Sequence, residues 1–401
     1  MSMTPEYRFK KNDGSPYPDW VRRKFGELYT ERNDRGDESL PILSVSIHSG
    51  VSGDEMDEDE LGKRVNRSED KSLYKRVSPG DLVFNMMRAW QGAIGTVKTE
   101  GMVSPAYITA SPSDEVYPPF MDYFMRTDEM IHVINRQSYG VTDFRKRLYW
   151  DSFANIDCML PSIEEQKRIT EFLYTLDVLI EEKGKEIEKL KQYKTGIMRS
   201  IFRQDYRFKD ENGKNFPDWT NYSLGDVLIE YNEKASKGKE YEHVSLTKEG
   251  VVPKTDRYDR DFLVTQDDKQ YRVTHYDDIC YNPANLKFGV ICRNKYGDAI
   301  FSPIYVTFKV NKGFLPAYIE AYLVRWDFIV TTLKYQQGTV YERMAVSSKD
   351  LLSMDIAVPC FDEQKKIAEF LTALDDQIEN EEGLLNDYIK LKKGYEQKML
   401  I

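Results

Sequence analysis

The chain repeats its landmarks at an interval of about 198 residues. Tyr7-Arg8-Phe9-Lys10 and Pro18-Asp19-Trp20 return as Tyr206-Arg207-Phe208-Lys209 and Pro217-Asp218-Trp219. Pro161, Glu165-Gln166-Lys167, Ile169, Glu171-Phe172-Leu173 and Leu176-Asp177 return as Pro359, Glu363-Gln364-Lys365, Ile367, Glu369-Phe370-Leu371 and Leu374-Asp375. Solenoids and propellers repeat every roughly 20 to 50 residues, so each unit here has to be a whole domain with its connector. The sequence is a tandem duplication.

The copies agree unevenly. Ten of the seventeen positions from Pro161 to Asp177 match their counterparts from Pro359 to Asp375, whereas 25–160 and 224–358 match only at scattered points such as Asp81 and Asn85 with Asp278 and Asn282. That pattern suits two equivalent docking elements for identical partners, together with two different faces for an asymmetric target.

At 401 residues, two or three domains can each bury a core without staples. Cys158, Cys280, Cys292 and Cys360 lie far apart with no Cys/His spacing of a zinc site, which leads us to expect a reducing cytoplasm. Residues 1–10 lack an apolar signal core, and no run approaches the length of a membrane span, so a soluble cytoplasmic chain is expected.

The net charge of -10 argues at first against nucleic acid, which is bound by Lys and Arg neutralising phosphates. The acidity is local, however. Residues 161–188 carry -4 and 359–387 carry -7, leaving +1 on the remainder. Between Leu61 and Arg76, six cations including Lys63, Arg64 and Arg67 face only Glu69 and Asp70, and Arg136, Arg145, Lys146 and Arg147 cluster further on. These are candidate phosphate contacts, with ordinary solvated surface as the alternative.

The repeated connectors read as long helices. Ile169, Leu176, Leu190 and Ile197 form one apolar row, interrupted by Lys183, beside Leu173, Ile180, Ile187 and Ile201; the second copy repeats the stripe, interrupted by Glu381. Such a stripe is the seam of a coiled coil or helical hairpin. Glu164-Glu165 and Asp362-Glu363 place negative charge in the first turns, after Pro161 and Pro359. A helix from about Glu164 to Ile201 spans roughly 57 Å. The two copies are expected to pack antiparallel, with approximate twofold symmetry and one globular domain at each end.

Each globular half mixes short strands with helices. Asp81–Asn85 and Asp278–Asn282 read as buried strands, as do 106–110 and 304–310; helices are expected over 119–126 and 316–325, followed by glycine loops around Gly140 and Gly338. The class is α+β, repeated. Signs of catalysis are weak. Tyr117-Pro118-Pro119-Phe120 lacks the leading Asn or Asp of an adenine-methyltransferase signature, and Asn282-Pro283-Ala284-Asn285 lacks the second proline and the aromatic that stacks on a flipped base. There is no phosphate loop or nucleophile elbow, His48, His132, His243 and His275 are isolated, and the Glu181/Lys183 pair falls within a helical connector. The chain reads as a binder.

The doubled Pro-x-x-x-Glu-Gln-Lys-x-Ile-x-x-Phe-Leu-x-x-Leu-Asp element, the aromatic-Pro-Asp-Trp segments at 17–20 and 216–219, and Gly80-Asp81-Leu82-Val83-Phe84-Asn85 together resemble the specificity subunit of Type I restriction-modification enzymes. The resemblance spans nearly the whole chain. It departs at Tyr276-Asp277-Asp278, which stands where the first half has Pro79-Gly80-Asp81, and at the acidic run Asp54 to Glu60. The resemblance implies two α/β target recognition domains, 1–160 and 206–358, each reading half of a bipartite DNA target. The antiparallel helical connectors 161–205 and 359–401 would separate them, set the spacer and dock partner subunits.

The implied partners are double-stranded DNA, two methyltransferase subunits and two restriction/translocation subunits. S-adenosylmethionine, ATP and Mg2+ belong to those partners, with no cofactor in this chain. Docking is expected at the repeated Glu165, Gln166, Phe172 and Leu176 and at Glu363, Gln364, Phe370 and Leu374. For base reading, residue chemistry nominates Arg88, Trp90, Gln91, Tyr139 and Arg145 in the first half, with Lys146 beside them. In the second half it nominates Asn285, Lys287, Gln336, Gln337 and Arg343, because Gln, Asn and Arg offer paired donors or acceptors to base edges. For each, loop hydrogen bonding or a phosphate contact is the alternative. The reading from another class is a non-enzymatic coiled-coil adaptor with two protein- or sugar-binding ends.

Overall fold

The computed structural model describes residues 5–37, 39–47, 50–53, 73–140, 145–236, 240–254, 270–336 and 345–400. Contacts divide the chain into two units, Met1–Lys185 with Glu382–Ile401, and Glu186–Glu381. Each long helix therefore contributes one half to each unit. The first is Ile163–Phe202 and the second Phe361–Met399, each about 60 Å long.

In the first unit, Val21–Lys24 pairs antiparallel with Asp157–Leu160 just before the first long helix. A four-stranded antiparallel sheet follows the order Tyr29–Arg32, Tyr107–Pro112, Leu82–Asn85, Ile94–Thr96, with Leu82 opposite both Ala110 and Thr96. The second unit repeats this build. Thr220–Ser223 pairs with Asp355–Val358, and Leu228–Tyr231, Val306–Val310, Ile279–Tyr281 and Ile291–Arg293 form the matching sheet. It also carries a five-stranded sheet in which Glu242–Leu246 runs parallel to Ala299–Phe301. The repeated α+β architecture expected from the sequence is present.

Packing continues from the globular parts into the helices. Ile169, Leu173, Met399 and Leu400 share one core with Phe25, Phe84 and Phe120; Ile201, Ile367 and Leu371 share the other with Tyr281, Phe308 and Tyr318. No break in packing falls at 160 or 358, because burying the helix stripe against the domain removes apolar surface from water on both sides. The helices run antiparallel within a unit. Phe172 meets Tyr395 edge to face at 4.9 Å while Asp177, further along, pairs with Lys392 at 2.5 Å. In the second unit the equivalent Asp375 pairs with Lys194.

The turn where the halves differ in sequence is the same in space. Gly80 sits at φ 97° and Asp277 at φ 70°, and each donates its N–H across the turn, to Val97 O at 2.8 Å and Asn294 O at 2.9 Å. Aspartate is among the few residues that tolerate this left-handed conformation. Arg293 Nη1 donates to Asp277 Oδ1 at 2.7 Å, which helps hold it there. Behind the turns lie buried Asp81 and Asp278, whose pKa values are raised by burial and held back by Ser78 N–H and Arg32, or by Tyr231 and His275 N–H.

Candidate nucleic-acid interface

In both units the central buried strand leads into one loop design. Asn85 Oδ1 accepts from Met87 N–H at 3.0 Å, and Asn282 Oδ1 accepts from Ala284 N–H at 3.1 Å. Short 3-10 turns follow, Ala89–Gln91 and Leu286–Phe288, each closed by a left-handed glycine, Gly92 or Gly289. Ala89 and Leu286 are fully buried and pin the turns, so the neighbouring side chains point outward. A helix packs on each turn, Asp128–Gln137 on the first and Trp326–Thr332 on the second.

On the first face a second segment is stitched to the turn. Tyr139 and Arg147 exchange backbone hydrogen bonds at 3.1 and 3.0 Å, and Leu148 N–H donates to Met86 O at 2.9 Å. Lys146 Nζ stands 5.9 Å above the Trp90 ring and donates to Asn135 Oδ1 at 3.3 Å. Tyr139 and Tyr149 lie 5.2 Å apart. The structure thus brings Arg88, Trp90, Gln91, Tyr139, Arg145 and Lys146 onto one loop cluster, with Arg88, Gln91, Tyr139 and Arg145 exposed. Beneath it, burial raises the Tyr107 phenol against the lowering influence of hydrogen bonds to Val45 and Asn85 and of nearby Arg88. Lys63, Arg64 and Arg67, and the acidic run 54–60, lie outside the described residues.

On the second face Asn285 is exposed at the head of the turn, and Lys287 Nζ lies 5.0 Å from the Phe288 ring centroid. Gln336 follows the helix and is half-buried, with its Nε2 lacking a hydrogen-bond partner among the described residues. Gln337 and Arg343 fall outside the described residues. Sequence reasoning missed several exposed side chains on these loops: Met87 and Tyr149 on the first, and Phe288, Trp326, Val330 and Tyr335 on the second. Their residue types match core positions, so only burial distinguishes them.

The expected docking residues need correction. Glu165, Gln166, Glu363 and Gln364 are buried, as are Leu176 and Leu374, while Phe172 and Phe370 pack against the cores. Glu165 accepts from Arg8 and Trp20, and Glu363 from Arg207 and Trp219. Gln166 Oε1 accepts from Tyr117 N–H at 2.7 Å, and its Nε2 donates to Glu115 O and Pro161 O, both at 2.9 Å. Gln364 makes the corresponding bonds to Leu315 N–H, Gly313 O and Pro359 O. These side chains clamp each domain to its helix and do not form an outward surface. Outward positions on the long helices carry Tyr174, Leu179, Tyr193, Leu384, Ile389 and Leu391.

The methyltransferase-like segments also serve the frame: Pro118 and Pro119 start a helix that buries Phe120, and Asn282 holds the loop described above. Among the described residues, no group of three or more His, Cys, Asp or Glu side chains is placed to hold a metal. Burial pushes the Cys158 and Cys292 thiols up to about 12, away from nucleophilic thiolate. Among the described residues, no helix is long and apolar enough to cross a membrane.

Two loop faces of different composition thus stand on one duplicated frame. Residues 217–388 match the family described as Type I restriction modification DNA specificity domain. Two relatives from Methanocaldococcus jannaschii are similar along the chain. The putative type I restriction enzyme MjaX specificity subunit is 24% identical, covering 93% of this chain and 91% of that one. The MjaVIII specificity subunit is 24% identical, with 77% of each chain covered. The fold resembles the solved S subunit from M. genitalium, with TM-score 0.55 and 13% identity over 100% of this chain and 99% of that one. It also resembles a chain solved in work on complex assembly and conformational transition of the type I R-M system, with TM-score 0.58 and 15% identity over 96% and 98% of the two chains. Residues 217–388 thus match a Type I restriction modification DNA specificity domain, and the chain as a whole is similar to type I restriction enzyme specificity subunits.

Proposed function

We propose that this chain supplies DNA sequence recognition to a type I complex, each loop face reading one half of a bipartite target. The observation that carries this reading is the repetition of one loop, from Asn85 to Gly92 and from Asn282 to Gly289, with different outward side chains. Discrimination in the major groove needs only a few such side chains per half-site, while phosphate contacts fix register. The acidic helical segments lie outside the loop faces, which reconciles the net charge of -10 with binding to a polyanion.

The chain itself is non-catalytic in this reading. Two methyltransferase subunits and two restriction/translocation subunits supply methylation, ATP hydrolysis and cleavage, together with S-adenosylmethionine, ATP and Mg2+. The exposed Tyr174, Tyr193, Ile389 and Leu391 support docking on the helices, in place of the clamped Glu165 and Glu363. The test is duplex binding by the chain assembled with its methyltransferase subunits across a salt series. Sequence-selective affinity should fall steeply as salt rises, because neutralised phosphates release counterions. A salt-independent, sequence-blind result would point to the adaptor reading.

A further inference from the structure

The two loop faces differ systematically at equivalent positions. Gln91 in the first turn corresponds to Phe288 in the second, and Asp128 and His132 on the first covering helix correspond to Trp326 and Val330 on the second. The helix equivalence holds in space, since Thr127 and Arg325 are the residues that cap these helices. Three outward polar positions have thus become apolar, with Phe288 53%, Trp326 65% and Val330 43% exposed. Interior packing does not account for them, because Phe328 and Ile329 turn inward from the same helix and Ile329 covers Gly289.

Resting on the DNA-recognition reading above, we propose that the second domain discriminates its half-site through thymine C5-methyl groups, contacted by Phe288, Trp326 and Val330. The methyl is the apolar group that the four standard bases present in the major groove, and it distinguishes thymine from adenine, guanine and cytosine there. Lys287, with its Nζ 5.0 Å from the Phe288 ring centroid, places a cation beside that ring. A charge in that place suits a polyanion with buried methyl groups better than an apolar protein surface. The first face, with Arg88, Gln91 and Arg145 outward, is built for hydrogen bonds to base edges and contacts to phosphate.

The experiment uses the chain assembled with its methyltransferase subunits and a duplex carrying the target mapped by adenine methylation. Each thymine is replaced in turn by deoxyuridine, which removes the methyl and leaves every base-pair hydrogen bond. At least one replacement in the half-site read by the second domain should lower affinity about three- to ten-fold. That penalty should shrink to less than about two-fold in Phe288→Ala or Trp326→Ala, whose exposed side chains leave the fold intact. Uracil indifference with retained sequence-specific binding would overturn this inference alone, as would an unchanged penalty in both variants. Variants that lose subunit assembly but keep the uracil penalty would assign the patch to a protein partner and overturn it too. Absence of sequence-specific binding to the all-thymine duplex would instead sink the recognition reading.

Discussion

Arg8 and Glu165, 157 residues apart in the chain, form a two-pronged ion pair, with Nε donating to Oε1 at 2.9 Å and Nη2 to Oε2 at 2.8 Å. Trp20 Nε1 adds a third bond to Oε2 at 3.2 Å. Arg207, Trp219 and Glu363 repeat the set in the second unit at 3.1, 2.7 and 3.1 Å. Glu165 and Glu363 are fully buried, so removing either takes the carboxylate from its arginine, which keeps the Pro18 or Pro217 carbonyl and a distant Asp19 or Asp218, and leaves the Trp20 or Trp219 indole N–H without its acceptor.

Glu165→Ala should therefore destabilise the full-length chain by about 3 kcal/mol, and Glu363→Ala by a similar amount, in urea unfolding. Arg8→Lys should recover only part of the wild-type stability, because an ammonium cannot make the forked contact. A loss below about 1 kcal/mol for Glu165→Ala would show that the clamp is not a principal tie between domain and helix.

Much of this was legible before the fold was known. Ile169 and Leu176, and Ile367 and Leu374, which open the heptad rows, are buried, the later members of the rows are partly buried, and Leu82–Asn85 and Ile279–Tyr281 are buried strands. The role of Glu165 was not legible in its local setting, where a glutamate in a first helical turn reads as a partner for the dipole. Its partners are more than 140 residues away, and the available signal was that Arg8, Trp20 and Glu165 all recur together in the second half. Trp326 and Phe288 were missed because an exposed aromatic has the same letter as a buried one. Base-edge reasoning favoured Arg, Asn and Gln, and it assembled the first face better than the second.

The left-handed turn position gives a second prediction. Gly80→Ala should cost about 1 to 2 kcal/mol, because φ near 97° strains an L side chain. Gly80→Asp should cost clearly less, following Asp277 in the second copy. Thermal unfolding of both variants decides this, and equal losses would contradict the equivalence of the two turns.

Gly140 supports the first face by allowing close backbone approach. A Cβ there would lie 2.2 Å from Arg145 O, so Gly140→Ala must push apart the segment that pairs Tyr139 with Arg147. Arg145→Ala removes a candidate contact without disturbing that segment. Both substitutions should weaken modification at one half-site only, Gly140→Ala at least ten-fold and Arg145→Ala about three- to thirty-fold. Unchanged half-site discrimination in an Arg145→Ala complex would remove that residue from the interface.

His275 introduces a pH dependence in the second unit. Burial lowers its pKa, but hydrogen bonds to Asp298 Oδ1 at 2.9 Å and Glu233 Oε2 at 3.2 Å together raise it above the ordinary 6.5. Asp278 accepts its backbone N–H, and the Tyr231 ring stacks 6.2 Å away. A raised folded pKa contributes stability that is fully present below about pH 6.5 and is lost as pH rises through the folded value. Relative to His275→Gln, the wild type should be favoured by a few tenths of a kcal/mol at acidic pH, since both carboxylates are largely solvated. An advantage that grows towards alkaline pH would contradict the ion-pair assignment.

The most direct test of the account is base-resolution mapping of methylated adenines in cells that express this chain with its cognate methyltransferase, against cells that lack the chain. The account predicts one split motif that vanishes with the chain, and exchange of residues 206–358 for those of a relative should change one half of that motif. With the methyltransferase shown to be active, methylation that does not depend on the chain would contradict its role in recognition.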